Sequence, residues 1–389
     1  MTVTILCSGF GLGFYTPGLL VEAGLRRLGI PAEVLVFENV MNPEHRGKVD
    51  HSRRAYHEDF SVALMSQRIP QDIRKSMDEQ QVNTLLNQWK AEGRRHFVCL
   101  SGHWVYLLEL YREQMGNELE VDLLYLDVSD SPSWKNVKKR LGSLTDHYRE
   151  VWLFGREDEP MSTYINIVGS DPVIPYEQRE RRLLVHGGGW GMGTYREHLQ
   201  ALQHAGYGLD IVLYEGDEPG AIDSGQRYYR MDPSWRTWQQ NEQGKHTFPP
   251  FAEVQEGIQE TYQSHHDYHL LCEIERRVCA IVSKPGGGTL ADSFASGTPI
   301  IFLDPFGEHE QNNAALWQRY GYGLNYDTWM SEYGGGTDIL EQMHNRLLLG
   351  RQSLSSYTEQ LSTRWASALQ TAAEADADLL LSLSEEERR

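Results

Sequence analysis

The stretch from Ala280 to Tyr326, AIVSKPGGGTLADSFASGTPIIFLDPFGEHEQNNAALWQRYGYGLNY, decides the fold. It reads as a buried strand (AIVS), a triple-glycine turn, a helix opened by Thr289, a second buried strand (PIIFL), and a polar loop before another helix. A short apolar run bounded by turn signals, then a helical period, then another such run is the pattern of a parallel β-α-β unit. A glycine turn between a strand end and a helix N-terminus exposes backbone amides and aims the helix dipole at one point. That arrangement favours a diphosphate and requires no metal. Such turns are also glycine-rich for purely steric reasons, so the residues that follow carry the argument.

Those residues are Asp292 in the helix, Gly297-Thr298-Pro299 before the next strand, and Glu310-Gln311 with Asn313-Ala314 opening the helix after it. The pattern resembles the donor half of GT-B glycosyltransferases. The match is to the group containing the enzyme that adds N-acetylglucosamine to the peptidoglycan lipid precursor and the small-molecule UDP-sugar transferases. The resemblance implies an α/β chain of two Rossmann-like, doubly wound parallel-sheet domains facing a cleft. It also implies that Gly286, Gly287, Gly288 and Thr289 hold the donor diphosphate, that Asp292 bonds the ribose, and that Glu310 and Gln311 grip the donor sugar. The family usually has Glu at the ribose position, and the step from Glu310-Gln311 to Asn313-Ala314 is one residue tighter than in many relatives. Taken singly, Asp292 and Glu310 also read as helix-entry acids serving the dipole.

The rest of the chain alternates strand and helix twice. The first half offers VTILCS, a turn with Gly9, Gly11 and Gly13, a helix near 17–28, and the strands AEVLVFE, HFVCLS, VDLLYLD and EVWLFG. Residues 42–94 are charged and helical in period; in the family, insertions here shape an acceptor pocket. The first turn, GFGLGFYTPGL, lacks dinucleotide-fingerprint spacing and is more similar to the GT-B acceptor loop, Gly13 and Phe14 included. That loop commonly carries a histidine as general base where this chain has Phe14, which cannot take a proton.

A second domain starts near residue 180, after Gly169-Ser170-Asp171-Pro172-Val173, which is similar to the family's interdomain linker. The expected units are 1–175 for the acceptor, 176–365 for the donor, and a C-terminal helix and tail, 366–389, packing back on the first unit. The strand RLLVHGGG leads into a turn containing His186 and Gly188, whose amides reach either the diphosphate or the acceptor. Segment 216–251, rich in Tyr and Trp, either walls the nucleobase pocket or forms a surface loop packed by its own aromatics.

Inverting transfer requires a base near the nucleophile and positive potential at the leaving phosphates. His103, directly after the strand HFVCLS, is the leading candidate base; the alternative is a histidine that caps its own loop. The resemblance places this loop near position 14. Asp127 and Asp130 follow the next strand and can orient His103 or act themselves. The cluster His265, His266, Asp267 and His269 lacks a matching metal-ligand spacing, so no metal and no cofactor are expected beyond a nucleoside diphosphate sugar as co-substrate.

Composition fits this reading. At 389 residues the chain exceeds one ordinary core. A net charge of -19 repels nucleic acid and anionic lipid, and the short basic run Lys135, Lys138, Lys139, Arg140 reads as a solvated helix face. Four cysteines without a CxxC pair read as reduced thiols. The N-terminus has no basic region ahead of its first strand, and no apolar run reaches the roughly 20 residues of a bilayer span. The expectation is a soluble cytoplasmic inverting glycosyltransferase acting on a small-molecule acceptor, with a UDP-sugar donor preferred on family grounds. The alternatives are a UDP-sugar 2-epimerase-like enzyme and a non-catalytic sugar-nucleotide-binding subunit.

Overall fold

The computed structural model describes residues 2–67, 72–116, 119–156, 159–167, 171–220 and 225–365. The first half runs β1 (Val3–Cys7), α1 (Leu12–Arg27), β2 (Ala32–Val36), α2 (Pro43–Glu58), α3 (Phe60–Ser66), α4 (Glu79–Ala91), β3 (His96–Cys99), α5 (Val105–Met115), β4 (Glu120–Tyr125), α6 (Pro132–Leu141) and β5 (Arg149–Trp152). A short strand β6 (Thr163–Tyr164) follows on the way to the second half. There the order is β7 (Glu180–Val185), α7 (Leu199–His204), β8 (Gly208–Leu213), β9 (Gln226–Met231), β10 (Phe251–Val254), α8 (Leu271–Arg277), β11 (Val278–Ser283), α9 (Gly287–Ser296), β12 (Ile300–Phe302), α10 (Glu308–Tyr320), β13 (Gly323–Asn325), α11 (Tyr326–Tyr333), α12 (Asp338–Gln352) and β14 (Ser355–Ser356).

The strands of the first half form one parallel sheet, ordered β2-β1-β3-β4-β5. Side chains alternate across a strand, and here the alternation fills two cores. Ile5, Val98 and Leu124 point to the face shared with α1, whereas Leu6, Phe97, Cys99 and Leu123 point to the face covered by Trp89, Trp104 and Tyr111. Burial on both faces explains why these strands read as nearly continuous apolar runs.

The second sheet has seven strands, ordered β10-β9-β8-β7-β11-β12-β13, parallel except for the β9–β10 pair. That antiparallel edge departs from the fully parallel sheet expected. It comes from the aromatic segment 216–251, whose alternation in Gln226–Met231 is masked by arginines and tyrosines with long, partly buried stems. Neither expected reading of this segment is complete, because it also reaches across to the first half. Tyr15 donates to the Thr247 carbonyl at 2.7 Å and packs its ring 5.5 Å from Trp235, and Arg236 pairs with Asp50 on α2.

The polypeptide crosses between the halves twice, and β6 and β14, one on each crossing, pair in parallel. After β14 the chain returns to the first sheet. Tyr357 and Arg364 both donate to the buried Asp122 carboxylate of β4, at 2.9 and 2.6 Å, and Trp365 packs on His96. The expected unit 366–389 lies outside the described residues.

Candidate active site between the two sheets

The carboxyl ends of β1, β3 and β4 face those of β7 and β11 across a cavity of about 1000 Å³. Ligands of open α/β sheets bind at such strand ends. Three glycine turns converge there, and contacts with the opposing half restrict several of their glycines. A Cβ on Gly287 would lie 2.7 Å from the Leu126 carbonyl oxygen, and one on Gly189 would lie 2.5 Å from the Leu12 side chain. A Cβ on Gly288 would stand 3.5 Å from the Cα of Gly13, so the starts of α1 and α9 face each other.

α9 begins at Gly287, two residues earlier than Thr289, the expected start, and no side chain caps it. α1 likewise begins at Leu12, ahead of Pro17, with Gly11 at φ 92° before it and no side-chain cap. Pro17 lies inside that helix and cannot donate to the Gly13 carbonyl four residues back. The amides at both helix starts are therefore not taken up by side-chain caps, and both dipoles point inward.

The charge at the third turn is Lys284, which sequence reasoning passed over. It is 8% exposed, lines the cavity, and is paired with the buried Glu310 carboxylate. Glu310 also accepts from the Phe306 amide at 2.6 Å. A carboxylate oxygen has more than one acceptor position, so Glu310, which lines the cavity, retains capacity for a ligand hydroxyl. The signal for Lys284 was present: a lone cation between a wholly apolar strand and PGGG.

The expected residues Gly13, Phe14, His103, Asp127, Gly188, Gly286, Gly287, Gly288, Thr289, Asp292 and Glu310 all line this one cavity. Gln311 does not; it is exposed on the outer side of α10, so the expected sugar contact is not among the residues brought together. Asp292 is bonded to His269 at 3.1 Å.

His103 is half-buried between the rings of Phe10 and Phe37, each 5.3 Å away. Burial pushes its imidazole down to about 4, so the ring is neutral at pH 7 and free to accept a proton. Its Nδ1 is buried without a hydrogen-bond partner. Asp127 is bound instead by Asn313, whose side-chain amide donates to it at 2.8 Å and to the Pro285 carbonyl at 2.9 Å, while its oxygen accepts from the Val128 amide. Burial pushes the Asp127 carboxyl up, opposed chiefly by His309. Asp127 thus ties the end of β4, through Asn313, to the turn after β11 and is not directed at His103.

His186 accepts from the Gly188 amide through Nδ1, which places its proton on the unpartnered, buried Nε2. Burial, with Lys284 and His269 adding to it, lowers this imidazole to about 3. The first turn has a different anchor: the Glu38 carboxylate, fully buried, accepts from Gly9 at 2.9 Å and from Ser8. Burial raises this carboxyl to about 7.

Residues 41–76 and α5 supply a further wall of the cavity, in which Met41, Val49, Tyr56, Ile73 and Tyr106 stand among polar side chains such as His45, Lys48, Gln67 and Asp72. The opposite face of α2 is fastened to the second half: Arg53 and Arg54 pair with Glu215 at 2.6 Å each, and His57 meets Asp217 at 3.0 Å. In the basic run, Lys135 pairs with Glu308, Lys138 with Asp130 and Glu150, and Arg140 with Asp72. Among the described residues no helix is long and apolar enough to cross a membrane, and all four cysteines are buried and free.

No protein-family model matches the chain, and no curated protein sequence matches it. Solved structures do. MurG of Acinetobacter baumannii superposes with a TM-score of 0.53 at 12% identity, covering 94% of this chain and 98% of that one. The glycosyltransferase SnogD of Streptomyces nogalater gives 0.52 at 14% identity over 95% and 99%. The glycosyltransferase VinC, solved in complex with dTDP, gives 0.52 at 12% identity over 95% and 100%. The fold is therefore GT-B, the two-sheet architecture that the Ala280–Tyr326 segment implied.

Proposed function

We propose that this chain is an inverting glycosyltransferase that moves a sugar from a nucleoside diphosphate sugar to a hydroxyl or amine of a small-molecule acceptor. The observation that carries the reading is the convergence of Lys284, two helix starts without side-chain caps and three glycine turns on one cavity between the sheets. These groups put positive potential where a departing diphosphate develops charge, so no metal is required at the phosphates.

Across the cleft His103 is the candidate base. It is neutral at physiological pH, lines the same cavity, and sits at a carboxyl strand end of the acceptor half. In the proposed step His103 takes the proton of the acceptor hydroxyl as its oxygen attacks the anomeric carbon, and the bond to the diphosphate oxygen breaks on the opposite face. The wall that mixes Val49, Tyr56, Ile73 and Tyr106 with His45, Lys48 and Asp72 favours an acceptor with an apolar body that carries polar substituents.

The test is a panel of UDP- and dTDP-sugars offered with candidate aglycones, with nucleoside diphosphate release as the readout. Release that depends on acceptor, with inverted anomeric configuration in the product, supports the reading. Interconversion of the donor sugar without acceptor would replace it with an epimerase, and nucleotide binding without turnover would replace it with a binding subunit.

A further inference from the structure

The histidine cluster that the sequence offered separates in the fold. Asp267 pairs with Arg26, and His265 stacks on Tyr268 at 3.8 Å. His269 alone turns inward, and there it meets a different set: Cys272 and Glu275 on α8 and Asp292 on α9. One ligand atom from each of the four lies within 4.8 Å of all the others. The Cys272 sulfur and the Asp292 oxygen are each 3.1 Å from His269 Nε2. The residues follow His-x-x-Cys-x-x-Glu, a spacing that puts Cys272 and Glu275 on one face of α8, with His269 at its entrance.

Glu275 makes this more than a polar cluster. It is 1% exposed, and its Oε2 is buried with no hydrogen-bond partner. The charge acting on it is Asp292, of the same sign. Burying a carboxylate beside another acid is costly unless a cation or a proton compensates.

We propose that His269, Cys272, Glu275 and Asp292 form a binding site for one zinc-type divalent transition metal, behind the donor pocket. One imidazole, one thiolate and two carboxylates are a borderline-soft, four-donor set, which suits Zn²⁺ better than Mg²⁺ or Ca²⁺. Zinc bonds of roughly 2.0–2.3 Å in a tetrahedron put donor atoms roughly 3.3–3.8 Å apart, so the cluster closes on the ion with shifts confined to side chains. His269, Glu275 and Asp292 line the cavity, which provides the way in. The metal takes no part in sugar transfer. It fixes Asp292, and with it the first turns of α9, against α8.

The experiment uses the full-length chain, stripped with chelator and then titrated with CoCl₂ and ZnCl₂ alone. The expected result is one metal per chain, a sulfur-to-cobalt charge-transfer absorption that Zn²⁺ abolishes, and binding that tightens as pH rises because thiol and carboxyl must lose protons. Cys272→Ser should remove the charge-transfer band, and Glu275→Gln should weaken binding roughly a hundredfold, with circular dichroism in chelator unchanged. The wild-type titration stands by itself if either variant misfolds. Absence of a stoichiometric metal and of the sulfur band in wild type overturns the proposal, as does a band that survives Cys272→Ser. Nucleotide binding measured on the same samples keeps the two readings separate: its loss would count against the donor site and leave the metal site standing.

Discussion

The turn after β1 and the turn after β11 are built alike, each a strand that runs through glycines into a helix, yet they offer the cavity different chemistry. Both helices start without a side-chain cap, but the β11 turn alone carries a buried lysine. The β1 turn is held from behind by the Glu38 carboxylate and faces the cavity with Phe10 and Phe14, beside His103, which lines it too. The β11 turn adds a cation to its uncapped helix start, and the β1 turn adds aromatic rings, beside a neutral imidazole, to a helix start equally without a side-chain cap. The same backbone device is specialised by the side chains set before, between and after the glycines and by what anchors the loop.

The strongest way to break this contrast is at His103. His103→Ala should lower kcat by roughly 10²–10⁴-fold, with nucleoside diphosphate affinity unchanged. Because burial holds the imidazole near 4, wild-type activity should persist with falling pH until the ring protonates near that value. An unaltered kcat in the variant would leave the acceptor side without its base.

A smaller effect is expected on the other side. Lys284→Met should weaken UDP or dTDP binding by roughly 10–100-fold in calorimetry, the range of a hydrogen bond to a charged group. Because that change strands the buried Glu310 carboxylate, the Lys284→Met/Glu310→Gln pair is the cleaner variant. Equal affinity in the double variant would mean that backbone amides alone hold the phosphates and that the two turns differ less than their side chains imply.

The third test concerns the anchor. Glu38 keeps its proton up to about pH 7 in the fold, while its ordinary value is 4.5. Between those values the folded chain holds the extra proton, so stability falls as pH rises through the window and levels off above it, by roughly 3 kcal/mol in all. Glu38→Gln should flatten this slope in urea melts at pH 5, 6, 7 and 8 and leave the donor turn unaffected. A slope that remains in the variant would locate the titration elsewhere.

Much of this contrast was legible before the fold was known. Nine of the strands follow apolar runs closed by turn residues, and Gly286, Gly287, Gly288, Thr289, Asp292 and Glu310 line one cavity. What could not be read is what depends on partners far along the chain. Lys284 stands out in the sequence as a lone cation, but its partner Glu310 lies 26 residues on. Glu38 followed β2 as a dinucleotide-site acid would, and its hydrogen bond to Gly9 spans 29 residues. β9 and β10 were not legible because β9 is built from arginines and tyrosines with partly buried stems and the edge strand β10 has only four residues, so neither shows the alternation that marks a half-buried strand. The grouping of His269 with Cys272, Glu275 and Asp292 was not legible either, since those partners lie three and six residues on and on the next helix.

The paired crossings carry a mechanical consequence. β6 and β14 are joined in register, Thr163 to Ser355 and Tyr164 to Ser356, and the Thr163 hydroxyl donates to the Ser355 carbonyl at 3.0 Å. Two covalent connections stitched side by side behave as a door hinge and not as a ball joint. Swinging the halves apart bends both connections together, whereas twisting one half against the other shears the stitched pair. Any opening of the cavity that keeps this pair intact must therefore bend both connections together.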